Sequence, residues 1–167
     1  MAGKLIPWKK KPKYKKLDGS LDTSMSFAVV GSSHEFTDKK HHAYKVFHVL
    51  KELRVSVYPV GPDLEFVGKD KAAATLSELP APVDAVIPCL SAEYSLSIVR
   101  DAKLAGINKI WFQTRTLSRE ALEFCLDNNI EVIEGCVLKH KDFTGLGQLI
   151  DPCYWHSKTI ALKQKYL

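Results

Sequence analysis

Gly31, Ser32 and Ser33 stand directly after a short apolar run, Phe27 to Val30, and that order of residue types suits a phosphate. Glycine lets a backbone approach a ligand closely, and the serines add hydroxyl donors. Lys39 and Lys40 follow near enough to pair with a phosphate charge. The same three residues also make an ordinary turn, and the G-x-G-x-x-G fingerprint that would carry a nicotinamide dinucleotide is absent. Gln113 ends an otherwise apolar run, so its amide needs a partner, either a ligand or a neighbouring loop. Cys136 offers a thiol for disulfide exchange or acyl transfer if its pKa is lowered and it is exposed; otherwise it is a small buried hydrophobe. His34 and Glu35 form an acid–base pair or a solvated loop edge. No nucleophile, base and orienter stand at motif spacing, and no carboxylates pair, so the residues point to binding rather than turnover.

Metal and disulfide chemistry are not expected. Cys89, Cys125, Cys136 and Cys153 lie far apart without a C-x-x-C pair. His41 and His42 are adjacent, and adjacent side chains do not converge on one ion from a helix or strand.

The elements that must position these groups alternate. Phe27–Val30 reads as a strand, and Tyr44, Phe47, Leu50 and Leu53 recur at helical steps. Val55 to Val60 is a second strand, closed by Pro59 to Pro62. Asp84 to Leu90 is a third, followed by a helix that Ser91 caps and Gly106 stops. Lys109–Phe112 is a fourth strand, Ser118 begins a helix ending near Asn128 and Asn129, and Ile130 to Ile133 is a fifth strand. The strands are continuously apolar, as strands covered on both faces are. The expected fold is therefore three-layer α/β and Rossmann-like, a five-stranded parallel sheet with helices on both faces.

In such a sheet ligands bind beyond the carboxyl ends of the strands. A domain that holds NAD places an acid at the end of its second strand, for the ribose hydroxyls. Here Val60, Gly61 and Pro62 take that place, and Asp63 follows the proline. A missing carboxylate suits a ribose that carries its own phosphate, which favours coenzyme A or NADP over NAD.

Ala28 to Ser33, Val57 to Pro62, Leu76 to Pro80, Val83-Asp84, Ile110 to Gln113 and Val132 to Leu138 together resemble the CoA-binding domain family, similar to the N-terminal domain of the succinyl-CoA synthetase α-subunit. The resemblance spans residues 25 to about 140. It implies that Gly31, Ser32 and Ser33 meet the pyrophosphate of coenzyme A or an acyl-CoA; Lys39 and Lys40 are expected as further phosphate partners from their nearness in sequence alone. It also implies that Val60 and Pro62, with Gly61 between them, flank the adenosine, that Cys89 and Leu90 line the cleft, and that Gln113 faces the pantetheine arm. Cys136, just past the fifth strand, is expected near the pantetheine thiol from its position alone. The chain departs from the family pattern in two places. The stretch from Ser33 to Tyr44 is longer than the usual turn and lacks its basic residue with proline or glycine, and Gly61 replaces a common polar residue.

The net charge of +5 falls to −2 once the seven lysines of the first sixteen residues are set aside. The basicity thus belongs to residues 1–24, expected to be a solvated arm, with nuclear import, nucleic acid or anionic lipid as its alternatives. Residues 25–141 are expected to form the domain, and 142–167 a C-terminal extension packed on it, including a short helix from Thr159 to Tyr166. No apolar run approaches a membrane span and no secretory signal is visible, so a cytoplasmic or nuclear compartment is expected. The readings carried forward are a coenzyme A binding module, an NAD(P)-dependent oxidoreductase or redox sensor, and an adaptor using its arm on nucleic acid. Either a monomer or a homodimer is compatible with the sequence.

Overall fold

Four strands carry runs of buried apolar residues, and their alternate side chains feed two separate cores. A computed structural model describes residues 24–140, with the side chains of Lys139 and His140 excepted. In β1 (Ser26–Val30), Phe27 and Val29 enter one core while Ala28 and Val30 enter the other. The first core is completed by α1 (Ser33–Thr37) and α2 (His42–Glu52), through Phe36, Ala43, Val46, Phe47 and Leu50. The second is completed by α3 (Ser95–Leu104) and α4 (Arg119–Asp127), through Ile98, Val99, Ala102, Ala121, Leu122 and Cys125. A sheet clothed on both faces in this way is the expected three-layer α/β fold, and period-two alternation is its physical cause.

The remaining elements are β2 (Ser56–Val60), the short hairpin β3 (Phe66–Val67) and β4 (Asp70–Lys71), β5 (Ala85–Pro88), β6 (Lys109–Phe112) and β7 (Glu131–Glu134). The main sheet has the order β2-β1-β5-β6-β7, and its strand pairs are all parallel. Progress along the chain runs outward from β1 to β2, then returns to the other side at β5. The order therefore reverses between β1 and β5, and the crevice of such a fold opens beyond Val30 and Pro88.

Local signals act as read from sequence, with three differences. Pro59 lies inside β2 rather than ending it, because β2 is the sheet edge and a missing N–H costs no ladder bond there. Ser91 precedes a 3₁₀ turn (Ala92–Tyr94) without a capping bond, its hydroxyl donating to Glu93 instead, and α3 begins only after that turn, so one long helix becomes a turn and a helix. The stretch from Ser32 to His42, read as polar loop, contains α1. The expected N-terminal arm up to residue 23 and the expected C-terminal extension and short helix, Cys153 included, lie outside the described residues. Among the described residues no helix is long and apolar enough to cross a membrane.

Candidate functional site

Parallel strands deliver all their C-terminal loops to one edge. Gly31, Gly61, Cys89 and Gln113 each directly follow a strand there, and Gly135 and Cys136 follow β7. The first two loops are tied together. The Gly31 N–H donates to the Val60 carbonyl at 3.0 Å, and the Gly61 N–H donates to Ala73 at 2.9 Å. A Cβ on Gly61 would lie 2.3 Å from the Gly31 carbonyl oxygen, so glycine is required for the two backbones to come this close. Val60 is buried by these contacts, and Pro62 is exposed.

Beyond Gly31 two successive backbone amides face carboxylates. Ser32 caps α1, its hydroxyl accepting from Glu35, while its own N–H donates to Glu35 Oε2 at 3.3 Å. The Ser33 N–H donates to Asp63 Oδ2 at 3.0 Å. Asp63, which stands after the proline in sequence, thus folds back onto the first loop. Lys39 and Lys40 are exposed on the turn between α1 and α2. His34 and Glu35 do separate work: Glu35 closes the cap, and the His34 ring lies edge-on against His41, 4.6 Å between centroids. His34, Asp38 and His41 converge, with potential ligand atoms all within 4.8 Å of one another. The sequence expectation on metals rested on the spacing of the four cysteines and on the adjacent His41 and His42; this grouping instead joins His41 to Asp38 and His34, at steps of three and four. A hydrogen bond from the Lys40 N–H holds the Asp38 carboxyl below its ordinary value, against a smaller opposing effect of burial.

At the other end of the edge, Gln113 is 1% exposed and both polar atoms of its amide have partners. Its Oε1 accepts from Val137 N–H at 3.0 Å and lies 3.2 Å from His42 Nε2; its Nε2 donates to the Trp111 carbonyl at 3.3 Å. The neighbouring-loop reading of Gln113 is therefore realised: it fastens the end of β6 to the turn after β7. Cys136 is a buried member of the first core, the small-hydrophobe alternative read from the sequence, and its Sγ lies 3.5 Å from the same His42 Nε2. Gln113 Oε1 only accepts, so the tautomer with its proton on Nε2 donates to that oxygen and presents the same N–H toward the Cys136 sulfur. Sequence reading missed His42, because it sits 94 positions from Cys136 and only the fold brings them together.

Cys89 sits at the reversal point, its N–H donating to the Val30 carbonyl at 2.8 Å, with Leu90 half-buried beside it. Burial pushes its thiol well above the usual range, and the charges of Glu35 and Cys136 push the same way. Burial likewise pushes Cys125, in the opposite core, up to about 11. Two clefts, of about 500 and 440 Å³, lie elsewhere: one along the outer edge of β2, the other between residues 76–83 and 104–107. Neither contains any of the strand-end residues named above.

Residues 25–142 match the family model described as a CoA binding domain. Solved structures share the fold. A conserved hypothetical protein from Pyrococcus furiosus is 24% identical at a TM-score of 0.64, over 70% of this chain and 99% of its own. A hypothetical protein from Pyrococcus horikoshii is 25% identical at the same TM-score, over 70% and 80%. A dinucleotide-forming acetyl-coenzyme A synthetase from Ca. Korarchaeum cryptofilum, in complex with phosphate and ADP, is 20% identical at 0.56, over 65% of this chain and 25% of its own. No curated protein matches the chain in sequence.

Proposed function

The chain belongs to the CoA binding domain family, and on that premise we propose that it binds coenzyme A or an acyl-CoA at the C-terminal edge of its sheet. The observation that carries this reading is the pair of amides at Ser32 and Ser33, which already hold carboxylate oxygens. Donors aimed at two anionic groups suit a pyrophosphate, which offers the same oxygens with more charge. The ligand would displace Glu35 and Asp63 from these amides. Gly31 and Gly61 keep the two loops close without side chains in the way. Val60, Gly61 and Pro62 would flank the adenosine end, with Lys39 and Lys40 free to swing toward phosphate. Cys89, Leu90, Gln113 and Cys136 would lie along the pantetheine path. There the His42 imidazole beside Cys136 would meet the ligand's thiol or thioester.

A thermal-shift panel of coenzyme A, acetyl-CoA, NAD, NADP and ATP tests the reading, because a ligand that binds only the folded state raises its stability. Coenzyme A or acetyl-CoA should raise the melting temperature and NAD should not. A shift with NADP and none with either CoA species would replace this reading with an NADP site.

A further inference from the structure

We propose that His34, Asp38 and His41 form a binding site for a divalent ion of the zinc class. The three residues belong to one short stretch whose backbone is already closed. The Asp38 N–H donates to the His34 carbonyl at 3.2 Å, ending α1, and the His41 N–H donates to the Asp38 carbonyl at 3.0 Å, making the turn into α2. Two consecutive backbone bonds therefore fix the spacing of all three side chains before any ion arrives. The imidazoles of His34 and His41 face each other at 4.6 Å between centroids and 65° between planes. His41 Nε2 lies 3.7 Å from Asp38 Oδ2.

That last distance is close to what an ion needs. Zinc bonds to nitrogen and oxygen of about 2.0 to 2.2 Å in tetrahedral geometry place neighbouring donor atoms about 3.4 Å apart. All three donor atoms already lie within 4.8 Å of one another, and rotation about side-chain bonds closes the remainder. The carboxylate is also oriented from behind. Lys40 N–H donates to Oδ1 at 2.9 Å, which leaves Oδ2 turned toward His41, an outer-shell arrangement of the kind that tunes metal ligands.

Two imidazole nitrogens and one carboxylate oxygen suit zinc, cobalt, nickel or copper, and not calcium or magnesium, which are held by oxygen alone. Three protein ligands leave a fourth position for water or an anion. Lys39 and Lys40 are exposed, so their charges are screened by solvent and lower the affinity without abolishing it.

The test uses the full chain, free of any affinity tag, stripped with a chelator and titrated with zinc chloride in a calorimeter. Cobalt(II) is titrated in parallel, to read the visible absorption of a four-coordinate ion. The expected result is one equivalent of zinc, with affinity lowered roughly 100-fold in His34→Ala and in His41→Ala. That is the upper end of what losing an outer-shell partner alone costs. All three ligands are exposed or half-buried, so these variants should fold, and far-ultraviolet circular dichroism checks that they do. Lys39→Ala should keep its zinc. Unchanged affinity in the double variant His34→Ala/His41→Ala would place the ion elsewhere and overturn the proposal, as would failure of the parent chain to bind zinc. No nucleotide is present in the titration, so its outcome is independent of the coenzyme A reading.

Discussion

Cys89, Cys125 and Cys136 share a residue type and differ in surroundings, and their reactivities should differ accordingly. Cys125 is fully buried against α3 and the sheet with its thiol pushed up to about 11, and Cys89 is raised by burial and by Glu35. Cys136 is buried too, at 6% exposure against 0% for Cys125, and has His42 Nε2 at 3.5 Å. Among the three described cysteines, site-resolved iodoacetamide labelling at pH 8, followed by mass spectrometry, should therefore modify Cys136 slowly but ahead of Cys125, which should react only on unfolding. Equal labelling of Cys125 and Cys136 in the folded chain would rule this out. The sign for pH follows from the same burial. A folded thiol that ionises near 11 where the unfolded one ionises near 9 keeps its proton longer, so the folded state binds more protons in that window. Stability should fall as pH rises from 9 toward 11, and less steeply in Cys125→Ala. Asp63 gives a second prediction at this scale. Its exposed carboxylate occupies the Ser33 amide, so Asp63→Asn should tighten coenzyme A several-fold, with the gain shrinking in high salt. Calorimetric titration at two salt concentrations reads it; weaker binding by the variant would show that Asp63 helps to hold the ligand.

The elements are held at the site by a few close approaches rather than by length. The Gly61 Cβ would meet backbone at 2.3 Å, whereas that of Gly31 would meet Ala43 at 2.9 Å and Phe36 at 3.0 Å. Side chains give more readily than a carbonyl, so Gly61→Ala should destabilise more than Gly31→Ala, which should cost about 1–3 kcal/mol. Urea denaturation of both variants measures the order, and the reverse order would show that the β1 and β2 loops part easily. Most element boundaries were legible because short-range chemistry sets them. Ser118 caps α4 by accepting from Ala121 at 3.1 Å, Gly106 follows α3 at a φ of +75°, and Asn129 leaves α4 at +56°. The β3–β4 hairpin was not legible. Two-residue strands carry no period, and this hairpin rests on long-range contact with β2 through the Val60–Ala73 bridge.

For the molecule as a whole, binding is a statement about stability. At a hundredfold excess over Kd, a ligand of the folded state adds about 2.7 kcal/mol, and for a chain of this size that raises Tm by roughly 5–10 °C. Coenzyme A should do so in the panel described above. The layered architecture was legible in residue order alone, because continuous apolar strands and amphipathic helices can satisfy their burial in few other ways. Chain order alone also placed Gly31, Gly61, Cys89, Gln113 and Cys136 at strand ends, which a parallel sheet must gather on one edge. What those residues touch depends on how the folded chain brings distant segments together. His42 meets Cys136 across 94 positions, Asp63 turns back onto Ser33, and Gln113 spends its amide on the β7 turn. Such pairings depend on side-chain reach between distant segments, and local propensity carries no record of it. The grouping of His34, Asp38 and His41 stands between these cases. Its spacing is written in the chain, but the turn that brings His41 back to His34 became visible only once α1 and α2 were in place.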